Sequence, residues 1–464
     1  MSKEGNIIDE LERIMEEEKK EEKEIEYVPA PAELTKKGKK KRLTYVLGGV
    51  LIGVTSFFAG FGARWFTLEE DMRTLINVKN KIDKEYYEEI PDDVFYDAIF
   101  DAINNEVLDS YSQYIRPKEY EENTEANAGK RSGLGIAFLT KTSQGEPQLL
   151  VSRVAGNSPA EASGICIGER VTGFGETAEA LTDSVEFDEL DSFLEEQEDD
   201  VPFFLRVEGE NGSRVVSTCR SDYVESYVFY RTKDTAYTFT GAKATELTER
   251  GKPLACLDED TAYIRLMQFS GKAASLMEDV MDLFKEQGKK NLILDLRRNG
   301  GGDVSIARKI ASYFCKNAKG KTPVIAVADY GEKKEKLCAT GNVYNKYFAE
   351  DSRICVLADV GTASASEMLI GAMIDYGTIT YEDICLTEIN GVTRTYGKGV
   401  MQTTYVMDVF KQDALKLTTA IVRWPISNHS IHNRGILLED GTKSVQQSYE
   451  YETELTNAVK ALFP

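Results

Sequence analysis

The sequence predicts a multidomain α/β protein carried behind a single membrane-spanning helix, and three observations carry that prediction. Leu43 to Ala63 is a run of 21 residues without a charge. Leu292 to Leu296 is largely apolar and runs into Arg297, Arg298, Asn299 and three glycines, as a buried strand does when it ends in a loop that must approach a ligand closely. Met368 to Ile374 is an apolar run at the spacing of a buried helix, preceded by the small residues Thr362 to Ser366. At 464 residues the chain is long enough for more than one domain beyond the anchor.

Taken in order, residues 1–42 form a charged tail whose Glu- and Lys-rich part, residues 9–26, reads as solvated and carries no chemistry. The apolar run that follows, within residues 43–64, is close to the roughly 20 residues a helix needs to cross a bilayer. Six basic residues, Lys36, Lys37, Lys39, Lys40, Lys41 and Arg42, precede it, and Glu69, Glu70 and Asp71 follow. That asymmetry puts residues 1–42 in the cytoplasm and everything after about residue 64 outside the cell membrane, with one helix as the membrane contact. A cleaved signal peptide is the rival reading, but the preceding tail is too long for an ordinary n-region. Gly49 and Gly53 lie four apart, a small-residue face suited to pairing two copies as a homodimer.

Residues 65–130 read as a helical region: Leu75, Ile76, Val78, Ile82 and Tyr86, then Val94, Phe95, Ala98, Ile99 and Ile103, fall on amphipathic faces for packing or dimer contact. Residues 131–222 read as a separate, strand-rich module. Ile136–Leu139, Leu149–Val151 and Val201–Val207 are strand-like, and Ser158-Pro159 starts a short helix. Residues 223–464 form the α/β core.

The chemistry centres on Ser364. With only two histidines in the chain, His429 and His432, an activating base must be sought elsewhere, and Lys398 in Gly397-Lys398-Gly399 supplies one. A lysine takes a serine proton only when its ammonium is desolvated. Its pKa must fall from about 10.4 towards 7 to 8, so burial must cost the charged form about 3 to 5 kcal/mol. The site must therefore be dry, and Glu367, three residues past Ser364, must point away or bond backbone. At a helix N-terminus the N–H of Ala365 is a candidate oxyanion donor, and the glycine-rich run after Asn299 offers the second. The rival readings are plain: Thr362, Ser364 and Ser366 as caps, and Gly300 to Gly302 as a turn or phosphate loop, the latter lacking a following Gly-Lys-Ser/Thr.

From about Val78 to Ile436 the chain resembles the carboxyl-terminal processing, or tail-specific, serine peptidases that use a Ser/Lys dyad. The landmarks that carry the resemblance are Asp109 to Tyr114, Gly133-Leu134-Gly135-Ile136, Ser158 to Ile165, Tyr263-Ile264-Arg265 with Phe269, Asp295-Leu296-Arg297 with its glycines, Thr362 to Ser366, Gly397-Lys398-Gly399, and Leu415 to Ala420. The resemblance implies Ser364 as nucleophile, Ala365 with Gly301, favoured over Gly302, as the oxyanion hole, Lys398 as general base and Gln402 as the polar residue that holds the lysine. The spacing of four suits one face of a helical turn. It also implies a crotonase/Clp-like peptidase core with an inserted PDZ domain, residues 131–222, in which Gly133, Leu134, Gly135 and Ile136 would capture the free C-terminus of a protein or peptide substrate. The chain departs from the family pattern in Thr362 for serine, in Asp383 to Asn390, which reads as an inserted hairpin or loop, and in Ser427 to His432, where an arginine is usual. A catalytically silent PDZ-bearing protein that binds peptide tails is the alternative function.

A net charge of -22 argues against nucleic acid as a partner, since the one basic run is explained by the membrane. Seven cysteines at wide spacing fit neither a disulfide framework nor a CxxC site, and no ligand pattern frames the two histidines, so neither metal nor cofactor is expected.

Overall fold

The computed structural model describes residues 69–143, 146–209, 212–316, 321–408, 410, 412–448 and 451–463. The expected tail and membrane helix, residues 1–42 and 43–64, lie outside the described residues. Among the described residues no helix is long and apolar enough to cross a membrane. The chain divides into two compact units, residues 1–97 and 98–464.

In the first unit, helix α1 (Glu70–Glu85) half-buries an amphipathic face, and Lys79 pairs with Asp83 at 2.5 Å and Asp92 at 2.6 Å. Helix α2 (Asp92–Ala102) follows. Next come β1 (Gln113–Ile115) and α3 (Pro117–Asn127), whose proline takes the first turn, where its missing N–H is not needed. The predicted helical region thus contains a strand that sequence periodicity did not show.

Strand β2 (Lys130–Gly133) leads into a five-stranded antiparallel sheet of β3 (Ile136–Ser143), β4 (Glu146–Val154), β5 (Arg170–Gly175), β6 (Phe203–Gly209) and β7 (Gly212–Thr218) in that spatial order, so β3 is an edge. Helices α4 (Pro159–Ala162) and α5 (Phe187–Glu196) accompany it. Leu149, Val151, Leu190, Phe203 and Leu205 fill a core of its own. Strand β8 (Ser221–Val224) returns to pair with β2.

The main sheet has eight strands in the order β11-β10-β9-β12-β13-β16-β17-β20. These are β9 (Val228–Arg231), β10 (Ala236–Thr240), β11 (Glu246–Glu249), β12 (Thr261–Leu266), β13 (Asn291–Asp295), β16 (Ile354–Asp359), β17 (Ile384–Glu388) and β20 (Lys443–Gln446). From β12 to β20 the pairing is parallel, and all six residues of β16 are buried. A continuous apolar run, rather than an alternating one, is what a parallel strand covered on both faces requires. Helices α6 (Ala273–Glu286) and α7 (Val304–Phe314) pack their apolar stripes into the principal core; β14 (Val324–Asp329), β15 (Lys334–Cys338) and the short helix α8 (Tyr344–Tyr347) follow in the chain. After β16 comes α9 (Ala365–Asp375), buried from Ala365 to Met373.

A second sheet joins β1, β19, β14 and β15, with β18 (Val400–Asp408) paired to β19 (Asp413–Arg423), and helix α10 (Tyr451–Leu462) closes the chain. The segment from Asp383 to Asn390, expected as an inserted hairpin or loop, is instead the interior strand β17. Ile384, Cys385 and Leu386 are buried between β16 and β20, and the apolar triplet forms the strand while the polar residues around it cap its ends. The seven cysteines are free thiols, and burial pushes Cys355 and Cys385 up to about 12 and about 11. His429 packs its ring 4.9 Å from that of Trp424, a packing role.

Candidate active site

Strands β13 and β16 lie side by side with Asp295 opposite Leu357, so the loops at their carboxyl ends open together, where ligands bind in parallel α/β sheets. Side chains knit the two loops. Asp359 accepts the N–H groups of Arg298 and Gly361, each at 2.9 Å, and the Thr362 hydroxyl donates to the carbonyl of Leu296 at 2.8 Å. Ser366 donates its hydroxyl to the carbonyl of Asn299 at 2.9 Å. Thr362 and Ser366 are therefore structural, and Ser364 alone of the three hydroxyls lines the cleft.

Ser364 has φ 56° and ψ −115°, a conformation that costs a non-glycine residue on the order of 1–3 kcal/mol and is concentrated at functional sites. It immediately precedes α9, as predicted, at the helix's N-cap, with its own N–H donated to the Glu367 carboxylate. The N–H of Ala365 has no hydrogen-bond partner among the described residues and stands at the positive end of the helix.

Gly301 presses against this turn. A Cβ there would stand 2.8 Å from the Cβ of Ser364 and 2.9 Å from the amide nitrogen of Ala365, and its φ of +98° also demands glycine. Its own N–H, however, is donated to Asn299 Oδ1 at 2.9 Å, in a short side-chain turn. Asn299 is fully buried and fixed by its amide bond to the Leu266 carbonyl at 2.8 Å. Gly301, expected as the second oxyanion donor, therefore has its N–H directed to Asn299 in this structure. The N–H groups of Gly300 and Gly302 have no partner among the described residues, and of the two Gly302 lies next to Gly301, which packs against Ser364.

Lys398 lines the same cleft, which has a volume of about 890 Å³. It also borders a small recess of about 80 Å³ walled by Met368, Val400 and Val422 beside Ser364. Its ammonium lies 5.2 Å from the centre of the Tyr111 ring, and among the described residues it forms no ion pair. Burial holds its pKa below the ordinary lysine value, and the like charge of Lys416 adds to the effect, while Asp109 and Glu367 oppose it.

Gln402 also lines the cleft, but not by a helical turn. It sits on β18, after a bulge between Met401 and Gln402, and no hydrogen bond joins it to Lys398 among the described residues. Lys398 precedes β18 and the bulge lies between the two residues, so their spacing of four does not by itself set the face each takes. Its Nε2 is buried without a partner.

The residue that sequence reasoning undervalued is Glu367. Fully buried, it accepts the N–H of Ser364 and of Lys398 on one carboxylate oxygen, each at 3.0 Å. The other oxygen takes the Gly397 N–H at 2.7 Å and the Thr395 hydroxyl at 2.6 Å. One carboxylate thus ties the backbone of the serine turn to that of the lysine loop. Burial pushes its pKa up, and these four donors pull against that shift. The Ser364-Ala365-Ser366-Glu367 spacing is a capping-box signal and could have pointed to the Ser364 half of this arrangement.

Gly133, Leu134, Gly135 and Ile136 fall outside this cleft, at the start of β3. Leu134 is buried, and a Cβ on Gly135 would stand 2.2 Å from the Cβ of Ser158, so bulk at Gly135 would disrupt the cap of α4 as well as any ligand loop.

A strained serine at a helix N-terminus and a lysine whose charge burial disfavours thus line one cleft at the mouth of a parallel sheet. Residues 260–439 match the model of Peptidase family S41. It is 26% identical over 366 residues to a protein assigned as a CtpA-like serine protease of Staphylococcus epidermidis, covering 79% of this chain and 64% of the relative. A relative of the same description from Staphylococcus aureus is 25% identical over 370 residues, covering 80% of this chain and 64% of its own length. The chain thus spans about 64% of the length of these curated relatives. The solved structure of a Bacteroides fragilis protein assigned to the S41 proteases aligns with a TM-score of 0.50 at 16% identity, covering 82% of this chain and 91% of that one, a likeness of fold.

Proposed function

We propose that this protein is a membrane-anchored, extracytoplasmic serine endopeptidase of the carboxyl-terminal processing type. Ser364 is the nucleophile, Lys398 the general base, and the amides of Ala365 and Gly302 receive the oxyanion. The observation that carries the reading is Lys398 itself, half-buried, without an ion pair among the described residues and held below its ordinary pKa on the cleft that Ser364 lines. In the reaction the neutral amine takes the Ser364 proton as the hydroxyl attacks the peptide carbonyl, then returns it to the leaving amine. Water hydrolyses the acyl-enzyme by the same relay. Hydrolysis of an unfolded protein by purified residues 65–464, and its loss in Ser364→Ala, tests the reading. Tail binding without hydrolysis would leave a peptide-tail binding protein instead.

Residues 131–222 are proposed to act as a PDZ domain that selects the tail. β3 is an edge strand with the Gly133-to-Ile136 loop at its head, so an extended peptide can add to it while the loop amides meet its terminal carboxylate. Peptides with a free C-terminus and an apolar last residue are expected to bind about tenfold or more tightly than their amidated forms, as judged by fluorescence anisotropy with the whole chain. Equal binding of the two would remove tail-reading from the proposal.

For the anchor, protease added to intact cells should digest a reporter fused at the C-terminus and spare one fused before Lys36. The reverse pattern would sink the assignment of sides.

A further inference from the structure

The chain carries a net charge of -22, yet its cleft is lined by seven cationic side chains and a single carboxylate, Asp303. Asp303 is occupied in capping α7, where it accepts the Ser305 N–H at 2.5 Å. Several of the cations are already matched. Arg131 and Arg153 share the buried Glu225, and Arg297, with Arg265 beside it, is answered by Asp295 and Glu454. Lys398 must be neutral to act. Arg298 and Lys416 are then the two cations of the cleft with neither an ion pair among the described residues nor a proposed role that discharges them.

Arg298 is the more informative of the two. Its φ of 58° puts a long, branched cation where glycine or asparagine would sit at less cost, and strain of this kind marks positions whose side chain is needed. The backbone is fixed there by its N–H bond to Asp359, and the guanidinium spends one N–H on the carbonyl of Ser152 at 3.0 Å. A guanidinium has five donors, so most of the fork remains for a ligand. The same loop carries Gly301 against Ser364, and Arg298 and Ser364 line one cleft, so a substrate seated there can meet both.

We propose that Arg298 selects substrate, and that the polypeptides this cleft takes carry an acidic side chain beside the scissile bond. The guanidinium meets that carboxylate in a forked pair, and Lys416 adds a second positive charge to the same cleft. The proposal rests on the peptidase reading above, and it names a substrate class that the tail-reading module does not supply.

The test uses two internally quenched peptides that differ only by Glu or Gln next to the cleaved bond, with the whole chain as wild type, Arg298→Gly and Arg298→Lys. Wild type is expected to favour the Glu peptide about tenfold or more in kcat/KM, chiefly through KM. Arg298→Gly should bring that preference to about one while relieving backbone strain, and Arg298→Lys should keep part of it. Equal use of the two peptides by wild type overturns the proposal. So does an Arg298→Gly variant that loses activity on both peptides alike, which would make Arg298 a clasp to Ser152. Binding of the same pair to Ser364→Ala, read by anisotropy, separates the two claims. A Glu preference there without hydrolysis by wild type supports Arg298 as selector and overturns the peptidase reading.

Discussion

Replacing Ser364 by Ala, or Lys398 by Ala or Arg, is expected to lower kcat/KM on an unfolded protein by about 10⁴-fold or more, since members of such a unit act together and losing one loses nearly all. Lys398→Arg is the sharpest of the three. It keeps the positive charge and much of the length, but arginine does not give up its proton in a protein, so it cannot serve as base. The fold should survive each change. Ser364 is a half-buried hydroxyl lining the cleft on a strained turn, and a half-buried ammonium without an ion pair is a cost to stability rather than a support. Near-normal hydrolysis by Lys398→Arg would show that the proton goes elsewhere.

The second large effect is expected at Glu367. In Glu367→Ala the N–H groups of Ser364, Gly397 and Lys398 and the Thr395 hydroxyl lose their acceptor inside the protein. Each unsatisfied buried donor costs about 1–3 kcal/mol, and allowing for water entering the space, a loss of about 3–5 kcal/mol in unfolding free energy is expected. Activity should fall by about 10²-fold or more in kcat, because the serine turn and the lysine loop are no longer held to one carboxylate and small displacements of reacting groups are costly. Glu367→Gln keeps the size but turns an NH₂ towards donors, so it should lie between. A Glu367→Ala enzyme with wild-type kcat and thermal stability would mean that the loops are positioned by something else.

The parts of this site that could be read from the sequence are those whose environment is uniform. β13 and α9 are buried almost throughout, so continuous apolar runs announce them, and Ser364 is then placed by the helix that follows it. Lys398 emerged because the chain offers so few histidines. What could not be read depends on partners far along the chain. β17 was taken for a loop because Asp383, Thr387 and Glu388 flank a short apolar triplet; its burial comes from β20, some sixty residues later, and Thr387 is satisfied by Glu454 of α10 at 3.3 Å. β1 is three residues long and exists only because it pairs with β19, Gln113 opposite Lys416. Gln402 shows the limit of spacing arguments, since the start of β18 and its bulge, not a helical turn, lie between it and Lys398. Glu367 shows another. A capping box predicts one of its bonds, whereas the three that reach Thr395, Gly397 and Lys398 are set by the tertiary fold.

The central claim, that Lys398 works as a neutral amine, is tested most directly by the pH dependence of kcat/KM, which reports the free enzyme. Lys398 has its pKa lowered by burial, so its charged form prevails at low pH and the base appears as pH rises through that lowered value. The rate should therefore climb with pH through one ionisation below the free-lysine value of about 10.4, and the rising limb should be unchanged in His429→Gln and His432→Gln. A flat profile, or a limb that moves with either histidine, would contradict the account.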